Sequence, residues 1–295
     1  MIRARGESKF ANAPIPRETR MVKSVSAFIG NLQSFMATSG LAVRCAVKVQ
    51  NQCRAIIGRV HGGPVIDMDQ NGEAAILDCL RPTLHRVVDV GANVGKWTAA
   101  ALNNSPDATC LVFEPSRLAV AKLQKLYGSA GRVVIRPVAV GDCPGQMAFF
   151  EEAAAGETSS LVPGAASRDA EANFVEVTTL DAEIERAGWD LVDYLKIDAE
   201  GYDFQVLKGS RGLLSEKRIA IGQFEYGQAW VLSGSTLTHA LQWLSELGYE
   251  CFLLKNGHLY IPRPALYGEY FGYSNYVFCH AGTRPLISHL IAGSV

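Results

Sequence analysis

The chain has 295 residues, of which 48% are apolar, and a formal net charge of -1. A chain of this length and apolar content can bury one large core, or one core with a modest appendage. The near-neutral charge argues against a general nucleic-acid binder, so no nucleic-acid partner is predicted. The charge is uneven, since residues 1–60 carry ten Lys and Arg against two Asp and Glu, whereas the remainder carries 18 against 27.

The basic front end divides into two parts. Residues 1–20 are predicted to form a flexible basic tail. From residue 21 apolar residues recur at helical spacing, and a second helical stretch follows, which predicts a helical appendage over residues 21–80. Two interpretations stay open, because these helices could pack on the main domain or adhere to an anionic membrane surface. The apolar positions are Val22, Val25, Ile29, Leu32 and Met36, then Val43, Val47, Ile56 and Ile57.

Cysteine usage and the absence of targeting signals bear on the compartment. The seven cysteines form no Cys-x-x-Cys pair and have no histidine at metal-ligand spacing. The sequence shows neither the apolar run of a secretory signal nor the roughly 18 to 20 apolar residues that cross a bilayer. A reducing, cytoplasmic setting is therefore expected.

From about residue 85 strand-like and helix-like segments alternate, which is typical of a mostly parallel sheet covered by helices on both faces. We assign residues 81–283 to this domain and residues 284–295 to a C-terminal tail. A helix is expected from Pro115 to Gly128, with the glycine as a left-handed cap. The predicted strands are RVVDV, ATCLVFE, RVVIRPVAV, DYLKIDA, IAIGQFEY, ECFLL and SNYVFCH.

Residues 151–173, between the third and fourth predicted strands, are rich in small residues and show no periodicity. A segment of this length without a repeat pattern is typical of a mobile loop. It could be a tolerated surface insertion or a lid that contacts substrate, and the sequence does not decide between them.

The turn after the first strand reads Asp-Val-Gly-Ala-Asn-Val-Gly and includes Asp89, Gly91, Asn93 and Gly95. The first strand of a parallel sheet delivers this turn to the carboxyl edge, where ligands bind. The glycines allow a ligand to approach the backbone, and the following helix offers free N–H groups. We therefore predict that these four residues bind a nucleotide-like cofactor.

Two further acids follow the next strands. Glu114 comes directly after the second strand, where a carboxylate can accept hydrogen bonds from ribose hydroxyls. Asp142 follows the third strand, in PVAVGD, and its carboxylate could accept from an adenine amino group. Both residues are predicted to bind the cofactor.

The charge of the turn distinguishes between cofactors. A pyrophosphate cradle prefers G-x-G-x-x-G without an acid at its mouth, and Asp89 would repel a pyrophosphate. A cofactor with a sulfonium and an ammonium group is instead attracted by a carboxylate. This charge pattern predicts S-adenosylmethionine.

The segment DYLKIDAEGYDFQVLKG, residues 193–209, places two more acids at the same sheet edge. Asp198 is predicted to lie near the methionyl part of the cofactor, and either Asp198 or Glu200 could take a proton from a hydroxyl group. Glu225, at the end of the fifth strand, is a third candidate for the catalytic site. These three acids could hold a divalent cation, but their spacing does not require one, and no metal site is predicted.

These motifs resemble those of the FkbM-type methyltransferases, which depend on S-adenosylmethionine. The resemblance covers roughly residues 70–280 and is carried by VVDVGANVGKWT, LVFEP, PVAVGD, VTTLD and, most specifically, DYLKIDAEGYDFQVLKG. It implies a class I methyltransferase fold, which is Rossmann-like, with seven strands of which the last is antiparallel. It also implies O-methylation of a hydroxyl on a sugar, glycan or secondary metabolite.

Two other functions are compatible with a sheet of this kind. A nicotinamide-dependent oxidoreductase would share the fold, but Asp89 and Asn93 disfavour it. A catalytically silent binding module would keep the sheet without the chemistry, and acids at four strand ends disfavour that interpretation. The expected partner is a small-molecule or glycan hydroxyl acceptor; the sequence does not indicate an oligomeric state.

Overall fold

The structure is a computed structural model that describes residues 17–63, 65, 67–152 and 159–295. The chain forms two compact units, Met1–Ala55 and Ile56–Val295. Residues 1–16 of the expected basic tail and residues 153–158 of the expected loop lie outside the described residues.

Two long helices make up the described part of the first unit, and the second of them ends just inside the second unit. They are α1 (Arg17–Ala37) and α2 (Gly40–Val60). Ser39 caps α2, because its hydroxyl accepts a hydrogen bond from the N–H of Ala42 at 3.4 Å. The two helical stretches predicted from apolar spacing are thus confirmed.

The second unit contains all the strands of the described chain. They are β1 (Arg86–Val90), β2 (Thr109–Phe113), β3 (Val133–Arg136), β4 (Ala139–Val140), β5 (Gly145–Glu151), β6 (Glu171–Thr178), β7 (Val192–Ile197), β8 (Ile219–Tyr226), β9 (Tyr249–Lys255), β10 (His258–Ile261), β11 (Ser274–His280) and β12 (Ile291–Ser294).

Helices precede the first strand and lie between the others. They are α3 (Met68–Asn71), α4 (Glu73–Leu80), α5 (Lys96–Asn104), α6 (Arg117–Tyr127), α7 (Leu180–Ala187), α8 (Asp203–Lys208), α9 (Arg211–Ser215), α10 (Ala229–Leu232), α11 (Leu237–Glu246), α12 (Pro264–Tyr267) and α13 (Arg284–Ile287). Short 3-10 helices cover Arg81–Thr83 and Ser288–Leu290.

The main sheet has nine strands within the described residues, in the order β12-β10-β9-β11-β8-β7-β1-β2-β3. The expected fold class is confirmed, but the expected count of seven strands is wrong. β10 pairs antiparallel with β9, and β12 pairs with β10, so these two strands extend one edge. Part of the segment expected to be a C-terminal tail therefore forms the edge strand. As expected, β11 runs antiparallel, between β8 and β9.

A second sheet of three strands has the order β4-β6-β5. RVVIRPVAV was expected to form one strand, but it forms two, β3 and β4. Pro137 lies between them and has no N–H to continue the ladder. β4 then leaves the main sheet and pairs with β6. β5 and β6 form an antiparallel pair that includes both ends of the segment 151–173, which was expected to be a loop.

Gly128 was expected to be a left-handed helix cap, and this expectation is wrong. Its φ is -58°, an ordinary right-handed value. A Cβ added at Gly128 would lie 2.4 Å from the carbonyl oxygen of Gln124, so the glycine is needed for close backbone approach. The helix begins one residue after Ser116, whose hydroxyl accepts from the N–H of Ala119.

The main sheet separates two hydrophobic clusters. Because strand side chains alternate in direction, Val88 and Val90 belong to one cluster and Val87 to the other. Phe204 and Leu207 of α8 are buried in the first cluster. The second includes Ile76, Leu77 and Leu80 of α4, so the last residues of the expected appendage belong to the core of the second unit.

Candidate active site

A cavity of about 420 Å³ opens at the carboxyl ends of β1, β2, β7 and β8. This is the edge at which parallel α/β sheets bind ligands. Residues from four separated segments meet here, so the structure brings together most of the predicted site. Seven of the nine predicted residues line the cavity, namely Asp89, Gly91, Asn93, Glu114, Asp198, Glu200 and Glu225.

The turn after β1 depends on its first glycine. Gly91 has a φ of 79°, and a Cβ added there would lie 1.8 Å from the carbonyl oxygen of Asp198. No side chain can be accommodated at that distance, so β1 and the segment after β7 approach this closely only with glycine. Asn93 also has positive φ, at 48°, a conformation that asparagine tolerates better than most residues.

The other two predicted residues do not line the cavity. Gly95 has a φ of 82°, and an added Cβ would lie 2.7 Å from Leu123 Cδ2, so it permits packing between α5 and α6. The Asp142 side chain is 39% exposed, and its Oδ2 lies 3.6 Å from Lys208 Nζ. The structure does not bring Asp142 to the cavity wall.

Asp89 is fully buried at the end of β1. Its carboxylate accepts a hydrogen bond of 2.5 Å from the Thr98 hydroxyl of α5. Burial raises the pKa of Asp89 to about 6, although Lys196 and the Thr98 hydrogen bond oppose this shift. The side chain is therefore held in one orientation by a helix that follows it directly in sequence.

Glu114 is fixed by backbone donors. Its two oxygens accept from the N–H of Asn93 at 2.7 Å and from the N–H of Ser116 at 2.8 Å. Burial raises the pKa of Glu114 to about 7, and the two backbone hydrogen bonds limit the rise. Each oxygen keeps a further lone pair, so the carboxylate can still accept from a pair of hydroxyl groups.

A buried lysine connects the β1 end with the β7 end. Lys196 is the register partner of Asp89, and its Nζ lies 2.8 Å from Asp198 Oδ2 and 3.9 Å from Glu73 Oε1. Burial lowers the pKa of Lys196, but Asp198, Glu73 and Asp89 outweigh burial and hold it well above its usual value. The lysine therefore stays charged and stabilises the carboxylates around it.

Glu73 enters the site from α4. It is 6% exposed, and its carboxylate accepts from Asn71 Nδ2 at 2.8 Å and from Gln223 Nε2 at 2.7 Å. Gln223 in turn donates to Asn275 and accepts from the hydroxyl of Tyr194. This network fixes Glu73 at one wall of the cavity.

Two acids that line the β7 and β8 ends have strongly raised pKa values. Burial raises the pKa of Glu200, and Asp198 and Asp203 raise it further. Burial also raises the pKa of Glu225, and Asp198 and Glu200 add to the rise. Glu200 has a φ of 49°, a left-handed conformation that bulky residues rarely adopt. These carboxyl groups hold protons more tightly than ordinary glutamates do.

Asp203 organises the turn that carries Glu200. It is fully buried, and its carboxylate accepts from the N–H groups of Ala199 at 3.3 Å, Gly201 at 3.1 Å and Glu225 at 3.4 Å. Burial raises the pKa of Asp203 to about 7.

Within the described residues, no group of three His, Cys, Asp or Glu side chains has the arrangement of a metal site.

Three residues of the site, Glu73, Lys196 and Asp203, were not predicted from the sequence. A lysine inside an apolar strand, as in YLKI, signals a buried charge that needs partners, and this could have identified Lys196. Asp203 lies within the most specific motif, five residues after Asp198. Glu73 carried no comparable signal, because an acid in the first turn of a helix is ordinarily explained by the helix dipole.

Two residues that line the cavity each have a buried polar atom without a hydrogen-bond partner within the described residues. These atoms are the amide oxygen Oδ1 of Asn93, which accepts, and the indole Nε1 of Trp97, which donates. An unpaired buried polar group costs free energy, so a ligand with both donors and acceptors would fit this wall. S-adenosylmethionine, with ribose hydroxyls, an ammonium and a carboxylate, meets that requirement.

The five parallel strands, the antiparallel β11 and the acidic strand ends have the arrangement of a class I methyltransferase fold. The chain belongs to the FkbM methyltransferase family, since the family profile described as Methyltransferase FkbM domain matches residues 89–251, more than half of the chain. The match includes every residue of the predicted site.

The chain is also similar to individual proteins. It is 22% identical over 151 residues to the 2-O-methyltransferase NoeI of Sinorhizobium fredii, covering 47% of this chain and 62% of that protein. A crystal structure of an FkbM methyltransferase from Methylobacillus flagellatus is 17% identical, with a TM-score of 0.41, covering 66% of this chain and 43% of that one. Spermidine synthase from Thermotoga maritima is 12% identical, with a TM-score of 0.40, covering 73% and 61%.

Proposed function

We propose that this protein transfers a methyl group from S-adenosylmethionine to a hydroxyl oxygen of a sugar, glycan or secondary metabolite. Family membership gives methyl transfer, and the name of the Sinorhizobium relative, a 2-O-methyltransferase, supports oxygen as the methylated atom. The observation that carries the proposal is the single cavity that gathers carboxyl groups from the ends of four strands.

The β1 and β2 ends are suited to hold the cofactor. When bound, S-adenosylmethionine supplies a methyl group activated by a positively charged sulfur. Glu114 would accept hydrogen bonds from ribose hydroxyls, and Asn93 and Trp97 would pair their free polar atoms with the ligand. Asp89 and Asp198 contribute negative charge to a partly dry cavity, which favours a cation there.

The β7 and β8 ends are suited to hold the acceptor. Glu200 and Glu225 line the cavity and have raised pKa values, so their ionised forms are stronger bases than an ordinary carboxylate. The ionised form of one of them, whose population grows as pH rises through its raised pKa, takes the hydroxyl proton as the oxygen is methylated, while Asp198 remains paired with Lys196. Alignment of the acceptor oxygen is worth up to about 7 to 11 kcal/mol, and the base adds roughly 10² to 10⁴ in rate.

Methyl transfer is tested with S-adenosylmethionine labelled in its methyl group and a panel of glycosides and hydroxylated metabolites. Each acceptor is paired with the deoxy analogue that lacks one hydroxyl. We expect label in one member of a pair and not in its deoxy analogue. Titration calorimetry with S-adenosylhomocysteine and with NAD accompanies the assay, and binding of NAD alone would overturn the proposal.

The base is tested by Glu200→Gln and Glu225→Gln. One of the two variants should lose about 10² to 10⁴ in kcat while it binds S-adenosylhomocysteine with nearly unchanged affinity. Glu176→Gln, an exposed glutamate of β6, is the matched control and should keep its activity. Full kcat in both site variants would show that neither residue is the base.

A further inference from the structure

Helix α1 carries a row of exposed apolar side chains. The five residues of this row, between Phe28 and Met36, follow one another at intervals of one, three, three and one residues. These intervals place all five on one helix face. Large apolar side chains this exposed in a contiguous row mark a surface that is covered by a partner or a membrane. The row consists of Phe28 (69% exposed), Ile29 (47%), Leu32 (47%), Phe35 (75%) and Met36 (46%).

Helix α2 is amphipathic and basic. Val49 and Ile56 lie on the same face of the helix, two turns apart, and are 63% and 64% exposed. Its polar positions include four basic residues and no acidic residue, and all four are exposed. In projection, Lys48 and Arg59 border the face of Val49 and Ile56 on one side, and Arg44 and Arg54 lie farther around the helix.

We infer that α1 and α2 bind the surface of a lipid bilayer that contains anionic headgroups. An apolar face bordered by lysine and arginine is the pattern of a helix that lies in the membrane interface. The apolar side chains enter the acyl boundary, while the long basic side chains reach the headgroups. Within the described residues, neither helix combines the length and apolarity required to span the bilayer.

Charge favours a bilayer over a second copy of the chain at the same surface. A symmetric pair places the same patch of both copies in contact, so the arginines and lysine of α2 would meet their own counterparts. Like charges brought together oppose association, whereas anionic headgroups attract them. Residues 61–295 carry more acidic than basic residues, so the basic helices are the part of the chain that such a surface attracts.

The test uses the full chain and sedimentation with vesicles of phosphatidylcholine alone, or of phosphatidylcholine mixed with phosphatidylglycerol. We expect binding to the mixed vesicles that weakens as salt is added. Removing two cations with Arg44→Gln and Lys48→Gln should weaken binding roughly fivefold for each cation. Removing two apolar anchors with Phe28→Ser and Phe35→Ser should weaken it tenfold or more, as an order-of-magnitude expectation.

The matched control removes the same charge elsewhere, with Arg117→Gln and Lys125→Gln on the exposed side of α6. This variant should bind vesicles like the unmodified chain. Absence of phosphatidylglycerol-dependent binding, or full binding by the Phe28 and Phe35 variant, overturns the inference. A dimer seen by light scattering that dissociates in that variant, without vesicle binding, also overturns it and assigns the face to a protein interface.

Far-ultraviolet circular dichroism and titration with S-adenosylhomocysteine check that each variant is folded. The inference does not depend on the proposed methyl acceptor. Vesicle binding without methyl transfer supports membrane binding by α1 and α2 and contradicts the proposed function. Methyl transfer without vesicle binding supports the proposed function and contradicts membrane binding.

Discussion

The two halves of the cavity are built in different ways. In the β1–β2 half, Asp89 is held by the Thr98 hydroxyl of the next helix, and Glu114 by the backbone N–H groups of Ser116 and of Asn93 in the turn after β1. In the β7–β8 half, Asp198 is held by Lys196, which also faces Glu73 from a distant helix. The first half is fixed by local hydrogen bonds and the second by a buried charge cluster.

This difference matches the proposed division between cofactor binding and proton transfer. Hydrogen-bonded carboxyl groups with modestly raised pKa values suit the recognition of a fixed cofactor. Glu200 and Glu225, buried close to other acids, have pKa values raised more strongly and suit proton transfer. The two halves should therefore respond differently to substitution.

Removing the lysine should have the largest effect. Lys196→Met leaves Asp198, Glu73 and Asp89 without their common cation in a buried site. We expect the free energy of unfolding to fall by about 3 to 5 kcal/mol, because an uncompensated buried charge is costly. Urea unfolding at neutral pH measures the change, which should shrink in acid as the carboxylates become protonated.

The control for this variant is Lys208→Met. Lys208 lies 3.6 Å from Asp142, but both side chains are more than a third exposed. Solvent screens such a pair, so the expected loss is below about 1 kcal/mol. Equal losses in the two variants would contradict a charge cluster in the β7–β8 half.

Glu114→Gln tests the β1–β2 half through binding. The amide keeps the size of the side chain but removes the charge, so affinity for S-adenosylhomocysteine should fall by about 1.5 to 3 kcal/mol, measured by calorimetry. Asp142→Asn is the control, and its affinity should stay unchanged because Asp142 does not line the cavity. A loss in the control instead would restore the predicted adenine contact.

The raised pKa of Glu114 also predicts how stability and ligand affinity change with pH. Burial raises the pKa of Glu114 from 4.5 to about 7, so the folded state holds a proton that the unfolded state has lost. This group therefore lowers the stability of the free protein as pH rises from about 4.5 to about 7. Ligand affinity should rise over the upper part of that range as the carboxylate ionises, and Glu114→Gln should flatten the rise.

The local half of the site could be predicted from sequence. Asp89, Gly91, Asn93 and Glu114 lie within two short motifs at adjacent strand ends, and parallel strands bring such ends to one edge. The main parallel strands and the helix after β2 were predictable for the same reason, since apolar runs and turn residues are local signals.

The rest depends on contacts that sequence spacing does not encode. Glu73 reaches the cavity because α4 packs on a face of the sheet. Its hydrogen-bond partner there, Gln223, lies more than 100 residues later in the sequence. The two additional strands at the edge of the sheet are short, and β12 lies within residues 284–295, which were expected to form a tail. Asp142 was misleading because an acid after a strand also forms ordinary surface ion pairs.

Trp97→Phe should have the smallest effect and tests whether the indole N–H in the β1–β2 half binds the ligand. The indole N–H has no partner within the described residues, so its removal breaks no hydrogen bond within the protein. The expected effect is a lower affinity for the ligand. We expect affinity for S-adenosylhomocysteine to fall by about 1 kcal/mol, or roughly fivefold. Titration with 5'-methylthioadenosine, which lacks the amino-acid portion, distinguishes two origins. A loss for S-adenosylhomocysteine alone assigns the indole to the amino-acid portion, a loss for both ligands assigns it to the nucleoside, and unchanged affinity for both contradicts the proposed pairing.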